Sequence, residues 1–290
     1  MISEVMAPVT ERAYGRRMNA AQPVRVGTLL REWRLRRRLS QLELAHAAGT
    51  SPRHLSCVET GRARPSRAMV LRLAATLDVP LRDRNTLLLA ADYAPAYQES
   101  GLDDEAMASI RSALDTMLRA HEPYPAVVVD RWWDVVAGNR AMDVLMDGVP
   151  AHLLDPRPNV FRLVLHPEGL ASRLVNLHEV RELFLERLLR QANASGDGRL
   201  RALHDEVSGY PLPANAGRSA TRAAARRASP IEVPIRVRTP EGELSMFSTM
   251  ATFGAPADVT LSELAIELFY PLDEFTTRAL RGMAGLPPTP

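Results

Sequence analysis

The residues best suited to recognition chemistry in this sequence are polar side chains on a short helical stretch. Four of them fall opposite the apolar positions of that stretch, namely Arg53, His54, Ser56 and Cys57. An arginine guanidinium presents two parallel N–H donors, which match the O6 and N7 acceptors of guanine in the major groove of DNA. We therefore expect Arg53 to contact a base edge, with weaker base contacts from Ser56 and Cys57.

Two short helices joined by a tight turn are predicted to position these side chains. Ser40 caps the first helix, and Glu43 completes a capping box three residues later. Gly49 ends that helix, where a left-handed residue is needed. Ser51 caps the second helix, and Pro52 occupies its first position, where the missing N–H costs nothing. The pattern predicts a helix-turn-helix; an ordinary pair of antiparallel helices is the alternative.

This segment resembles the helix-turn-helix of the Xre/Cro/phage-repressor family. The resemblance rests on the N-terminal glutamine, the small residue, the turn glycine and two core positions, which are here Gln41, Ala45, Gly49, Leu55 and Val58. It extends to a first helix over 26–39 and a fourth over 66–77. The family pattern implies that Arg34 pairs with Glu59 and orients the recognition helix.

The resemblance also implies which side chains face DNA. The N-terminal part of the second helix reaches base edges, and flanking residues hold phosphates. The expected phosphate contacts are Gln41, Ser51, His54, Arg62, Arg64 and Arg67, with Pro52 among the residues at the interface. A homodimer would bind an inverted repeat in double-stranded DNA, because half-sites one helical turn apart (~34 Å) match a two-fold protein.

The distribution of charge agrees with a polyanion-binding head. Residues 1–84 contain 16 arginines and seven acidic residues, a net charge of +9, whereas the remainder carries −7. All 36 basic residues of the chain are arginine, in the acidic part as well, which indicates a G+C-rich genome more than a binding requirement.

Several functional classes find no support in the sequence. One cysteine excludes an intramolecular disulfide and a cysteine metal cluster. The seven histidines lack the H-E-x-x-H spacing, and no nucleophile elbow, P-loop or dinucleotide fingerprint occurs. We expect no enzyme activity, no metal and no cofactor. Without an apolar run of ~20 residues or a signal core, we expect a cytoplasmic, nucleoid-associated protein with no membrane partner.

The rest of the chain predicts a mixed helix and sheet domain. A fifth helix over 85–93 completes the head, a linker follows at 95–101, and an amphipathic helix is predicted over 103–121. Five strands are predicted at 126–130, 132–137, 231–238, 243–253 and 264–270, with helices at 174–191 and 199–208 between the second and third. This order favours an α+β sheet.

Three segments of this half resemble the ligand-binding domain of MmyB-like transcriptional regulators of actinobacteria. They are EPYPAVVVDRWWDVVAGN, NVFRLVLHPEGL and ELSMFSTMATFGAPADVTLSELAIELFYP. The resemblance implies a PAS-like antiparallel sheet domain behind a five-helix lambda-repressor-like domain. It also implies a fatty-acid-like molecule in the sheet cavity.

Candidate ligand contacts are apolar residues of the sheet region and polar points along these segments. The candidates are Trp132, Asn139, Phe161, Arg162, His166, Met246, Met250 and Phe253. Methionine and aromatic groups suit an acyl chain. The apolar residues fit a filled core equally well, and the polar ones could instead cap helices or face solvent.

The sequence therefore predicts a multidomain transcriptional regulator with four parts. They are a flexible tail (1–21), a DNA-binding domain (22–94), a linker with a connecting helix (95–121) and a PAS-like ligand-binding domain (122–290). Two alternatives stay open for the last part, a dimerisation or protein-interaction module and a cryptic enzyme. The arginine-rich loop with Arg218, Arg222, Arg226 and Arg227 is either a solvated loop or a second phosphate-contacting surface.

Overall fold

The computed structural model describes residues 25–212 and 233–286. These residues form two compact units. The first comprises the described chain up to Glu99 together with Ala257–Ser262, and the second comprises the remainder. The predicted tail at 1–21 and the arginine-rich loop with Arg218, Arg222, Arg226 and Arg227 lie outside the described residues.

The first unit is helical, as predicted. Its helices are α1 (Val26–Arg36), α2 (Gln41–Ala47), α3 (Pro52–Glu59), α4 (Arg67–Thr76) and α5 (Leu81–Ala90). They surround a core in which Leu30, Leu44, Leu55, Leu73 and Leu88 are fully buried.

The predicted caps are present in this unit. The Ser40 hydroxyl accepts from the Glu43 N–H at 3.2 Å, and the Glu43 carboxylate accepts from the Ser40 N–H at 2.7 Å. Gly49 adopts φ +61° after α2, a conformation that favours glycine. Local sequence therefore fixes where α2 begins and ends.

The fifth helix begins earlier than predicted. It starts at Leu81 because Pro80 occupies the N-cap position with φ −56°, where a proline needs no N–H and can precede a helix. The unit also contains a short helix, α12 (Val259–Ser262), that contacts α5. The Val259 N–H donates to the Gln98 carbonyl at 2.8 Å, which fixes this segment within the first unit.

The second unit is built on one antiparallel five-stranded sheet. Its strands are β1 (Ala126–Val129), β2 (Val135–Gly138), β3 (Ile235–Thr239), β4 (Gly242–Thr252) and β5 (Ala265–Pro271). Their order in the sheet is β2-β1-β5-β4-β3, so the last strand lies in the centre. The α+β architecture of the prediction is confirmed.

Helices cover the sheet, and most of them lie in the chain between β2 and β3. They are α6 (Ala108–Ala120), α7 (Asp143–Met146), α8 (Ala151–Leu154), α9 (Val160–Leu165), α10 (Leu177–Ser195), α11 (Gly198–Ser208) and, after β5, α13 (Glu274–Met283). Alternation along β1 divides the core in two. Val127 and Val129 face the cluster that includes α9 to α11, whereas Ala126 and Val128 face the cluster that includes α6.

Two predicted strands are shorter in the structure. The second begins at Val135 because residues 130–133 form a tight turn, and the Asp130 carboxylate accepts from the Trp132 N–H at 2.8 Å and the Asp134 N–H at 3.0 Å. The third begins at Ile235 among the described residues, because the preceding Pro234 has no N–H for a ladder bond, and residues 231–232 of the predicted strand lie outside the described residues.

Candidate nucleic-acid interface and ligand-binding region

The N-terminal half of α3 presents an exposed polar surface. The Ser51 hydroxyl accepts from the His54 N–H at 3.1 Å, which caps the helix and defines its first turn. Pro52, Arg53 and His54 are exposed. The positive end of the helix dipole and the adjacent Arg53 guanidinium suit a polyanion.

The opposite side of α3 is anchored in the core. Leu55 is 0% exposed and Val58 is 1% exposed, whereas Ser56 and Cys57 between them are half-buried. The apolar contacts fix the rotation of the helix about its axis. The polar side chains of its first turns are therefore directed outward, as the sequence predicts.

A buried ion pair joins α1 to the end of α3. The Arg34 guanidinium donates to both carboxylate oxygens of Glu59, at 2.7 and 2.9 Å, and both side chains are almost fully buried. The Gln41 side-chain amide donates to the same carboxylate at 2.8 Å. The predicted pair is thus present, and the Gln41 contact is an addition that the sequence analysis did not foresee.

These hydrogen bonds determine the charge state of the pair. Burial alone would raise the pKa of Glu59, but the hydrogen bonds from Arg34 and Gln41 outweigh it and hold that pKa below its usual value. The hydrogen bond to Glu59 raises the pKa of Arg34. Both groups are therefore charged at neutral pH.

The lowered pKa predicts acid sensitivity of the first unit. A carboxylate whose pKa is depressed by folding contributes stability above its unfolded-state pKa of 4.5, and this stability is lost as the pH falls through the lower folded-state value. We expect the free energy of unfolding of this unit to decrease as the pH is lowered from 5. A pH series of hydrogen exchange at the α3 amides measures the effect. Glu59→Gln should remove this part of the pH dependence; an unchanged pH profile would contradict it.

The predicted phosphate contacts have different surroundings. Arg62 and Arg67 are exposed. Arg64 donates to the Ala91 carbonyl at 2.9 Å, and its guanidinium lies 5.3 Å from the centre of the Tyr93 ring. Arg64 is therefore partly committed to holding the end of α5, whereas the other two arginines project into solvent.

In the second unit, two predicted ligand contacts line one small cavity. Its volume is about 100 Å³, and it is lined by Trp132, Asn159, Arg162, Arg199, Leu200, Ala202, Leu203 and Glu206. Trp132 donates through its indole N–H to Asp197 at 3.0 Å. Arg162 donates to both oxygens of Glu206 at 2.7 Å. Both arginines of this cavity are already paired with carboxylates, Arg162 with Glu206 and Arg199 with Asp134.

Three of the predicted ligand-contact residues help to hold the fold together. The Asn139 side chain accepts from the Ala126 N–H at 3.0 Å and donates to the Leu118 and Tyr124 carbonyls. Phe161 and Met246 are 1% and 0% exposed within the cluster that includes α9 to α11. Both of these side chains therefore belong to a filled core.

The structure does not bring the remaining candidates together. Met250 packs against the same cluster as Phe161, but Phe253 packs against the cluster on the other face of the sheet. His166 follows α9, and its ring lies 5.6 Å from His152 and 4.9 Å from Tyr210. The eight predicted residues therefore do not form one continuous site.

Two charged side chains near the sheet were not predicted. Glu267 on β5 is 2% exposed and accepts from the Ser248 hydroxyl at 2.7 Å, and its burial raises its pKa. Burial lowers the pKa of Arg187 on α10, whose guanidinium lies 4.3 Å from the Trp133 ring. Strand alternation could have placed Glu267 inward beside Phe269, which is the one sequence signal for it.

Comparison with known families bears on both units. The model of the MmyB-like transcription regulator ligand binding domain matches residues 110–283, and a helix-turn-helix domain model matches residues 25–87. The chain belongs to the MmyB-like family. It combines a helix-turn-helix domain with the ligand-binding domain of MmyB-like transcription regulators.

A solved structure described as "Structure of an RNA-binding Light-Oxygen-Voltage Receptor" is 15% identical with a TM-score of 0.23, and the match covers 90% of this chain and 64% of that one. The regulator thus matches less than two thirds of that receptor's length. No curated protein matches it. Among the described residues, no helix of the regulator combines the length and the apolar character needed to cross a membrane.

Proposed function

We propose that this MmyB-like regulator recognises DNA sequence through the N-terminal half of α3, with Arg53 contacting a base edge. The observation that carries the proposal is the contrast along this helix. Arg53 and His54 are exposed, while Glu59 at its other end is held by a buried, bidentate ion pair. A rigidly held helix loses little freedom on binding, so its exposed guanidinium is preorganised for a guanine.

We further propose that Arg62 and Arg67 contact phosphates, with Gln41, Ser51, Pro52, His54 and Arg64 beside the backbone, and that a homodimer binds an inverted repeat. Exposed arginines beyond a recognition helix neutralise phosphates and release counterions. We propose that this protein is associated with the nucleoid and has no enzyme activity.

Replacing these arginines should weaken DNA binding without changing sequence preference. For Arg62→Ala and Arg67→Ala we expect similar losses of affinity on specific and unrelated duplexes. The slope of log K against log salt should become shallower by ~1 for each phosphate contact removed. Fluorescence anisotropy over a salt series measures both quantities. A loss confined to the specific duplex would show that these residues contact bases instead.

For the second unit, we propose a mostly apolar, fatty-acid-like ligand. The support is the composition of the cluster that includes α9 to α11, in which Trp133, Phe161, Phe184, Met246 and Phe269 are buried. Such side chains suit an acyl chain. The cavity of about 100 Å³ is smaller than the ~300 Å³ at which small-molecule pockets begin, so the chain of such a ligand needs core side chains to move.

A dimerisation module with a filled core is the second candidate for this unit, because Phe161 and Met246 are fully packed. Native mass spectrometry of the purified full chain, followed by organic extraction, distinguishes the two. An apolar molecule bound in stoichiometric amount, whose removal changes DNA affinity, supports the ligand proposal. A ligand-free dimer whose DNA affinity does not respond to added fatty acids of graded chain length supports the module.

A further inference from the structure

A cluster of three potential metal ligands lies at the edge of the second unit. His152 is on α8, and His166 and Glu168 follow α9. One ligand atom from each lies within 4.8 Å of the other two. The His152 Nε2 atom is already 3.6 Å from a Glu168 carboxylate oxygen, and the two imidazole rings meet edge to face at 5.6 Å.

The segment that carries two of these ligands is held by its backbone. The His166 N–H donates to the Arg162 carbonyl, and the Gly169 N–H donates to the His166 carbonyl, both at 2.9 Å. A Cβ atom on Gly169 would lie 2.3 Å from the Leu163 carbonyl oxygen, so the turn approaches α9 more closely than other residues permit. His152 is presented from α8 beside the buried Leu153.

The chemistry of the three donors suits a divalent transition ion. Two imidazoles and one carboxylate form a set found around Zn²⁺, at bond lengths of about 2.0–2.2 Å, with water in an open position. A tetrahedral site needs ligand atoms ~3.3 Å apart. His152 and Glu168 are more than half exposed and free to rotate by this small amount, whereas His166 is half-buried.

One hydrogen bond occupies a nitrogen of the His166 ring. The Glu168 N–H donates to His166 Nδ1 at 3.2 Å, which shows where that ring has a lone pair. A metal could take this lone pair, or Nε2 could bind after the ring proton moves to Nδ1. Either exchange costs one long hydrogen bond from an exposed N–H that water can satisfy. Tyr210 next to His166 donates its hydroxyl to Glu206, so it does not compete for the ion.

We propose that His152, His166 and Glu168 bind one divalent transition-metal ion, for which Zn²⁺ is the best fit. The ion would tie α8 to the segment after α9 and stabilise this edge of the domain. The site uses none of the proposed DNA contacts, and it makes His166 a metal ligand, whereas the sequence analysis expected this residue to contact an apolar ligand. The proposal departs from the expectation of no metal in the sequence analysis, because His152 lies 14 positions before His166 and only the fold brings them together.

Metal titration of the full chain tests this proposal. We expect one Zn²⁺ per chain in competition with a chromophoric chelator, and one Co²⁺ with visible absorption bands of a low-coordinate site. His152→Ala and Glu168→Gln should each weaken binding by at least the ~10–100-fold that loss of an outer-shell partner costs. Zn²⁺ should also raise the thermal midpoint of the wild-type chain and leave that of His152→Ala unchanged.

His178→Ala is the matched control, because His178 is an exposed histidine on α10 that is not part of the cluster. It should bind Zn²⁺ as the wild-type chain does. His166→Ala should also lose the ion. The His166 ring packs against Tyr210, so if this variant unfolds, the test depends on His152→Ala, which changes an exposed residue. No binding at millimolar Zn²⁺, or equal binding by the wild-type chain, His152→Ala and Glu168→Gln, would overturn the proposal.

Discussion

Arg34→Met should lower the free energy of unfolding of the helix-turn-helix unit by about 3–5 kcal/mol, the range for breaking one side of a buried ion pair. Methionine preserves most of the apolar packing of the arginine stem, so the loss reports on the polar contacts of the guanidinium, which also donates to the Leu39 carbonyl at 2.8 Å. The side chain of Glu59 is 1% exposed, and its carboxylate accepts three hydrogen bonds. In the variant, only the hydrogen bond from the Gln41 amide would remain. Hydrogen exchange at the α1 to α4 amides measures the effect within this unit.

Two further variants make this result interpretable. Arg72→Met removes an exposed arginine from α4 of the same unit, away from the pair, and should change stability by less than ~0.5 kcal/mol. The double variant Arg34→Met with Glu59→Met should recover most of the loss, because replacing both partners by apolar groups is often neutral. A loss below 1 kcal/mol in Arg34→Met, or a double variant less stable than the single one, would contradict our account of the pair.

Gly27→Ala should also destabilise the unit, by displacing α1 from α3. A Cβ atom at this position would lie 2.2 Å from the Val58 carbonyl oxygen and 2.8 Å from that of Glu59, both of them backbone atoms that cannot rotate away. Overpacking of this kind costs about 1–3 kcal/mol, which exceeds the ~0.5–1 kcal/mol that alanine gains over glycine in a helix. We therefore expect a net loss of stability together with weaker DNA binding, since the recognition helix moves.

Gly282→Ala provides the matched comparison. Gly282 lies within α13, and nothing stands within 4 Å of the Cβ position there. The same substitution should therefore stabilise the chain slightly through helix propensity. Thermal unfolding of the two variants side by side shows whether Gly27→Ala lowers the thermal midpoint and Gly282→Ala raises it. A stabilising Gly27→Ala would show that the approach of α1 to α3 is not as close as described.

Local sequence features were sufficient to predict most of the secondary structure. Ser40, Ser51 and Ser66 each cap a helix through their own side chains, so the boundaries of α2, α3 and α4 follow from short-range chemistry. Alternating apolar residues likewise predicted the strands, except where a side chain such as Asp130 forms a turn that hydropathy does not reveal.

Contacts between distant residues were harder to predict. Arg34 and Glu59 were paired only because the resemblance to a known family supplied the pairing, and the third member, Gln41, was assigned to phosphate contact alone. The candidate ligand residues were chosen by type, and strand parity then placed Phe253 on the opposite face of the sheet from Met250. His152 and His166 meet through the packing of two short helices, which no spacing rule encodes.

The most direct test concerns the exposed face of α3. DNA fragments selected by the purified full chain from its own genome would define the site, and Arg53→Ala would then be measured on that site and on single-base variants of it. We predict that Arg53→Ala lowers affinity by about 1–3 kcal/mol, roughly 5- to 150-fold, and loses preference at one guanine, while Arg140→Ala, an exposed arginine outside this unit, binds as the wild-type chain does. Failure of the wild-type chain to bind DNA at low salt, or full affinity and selectivity in Arg53→Ala, would contradict the account.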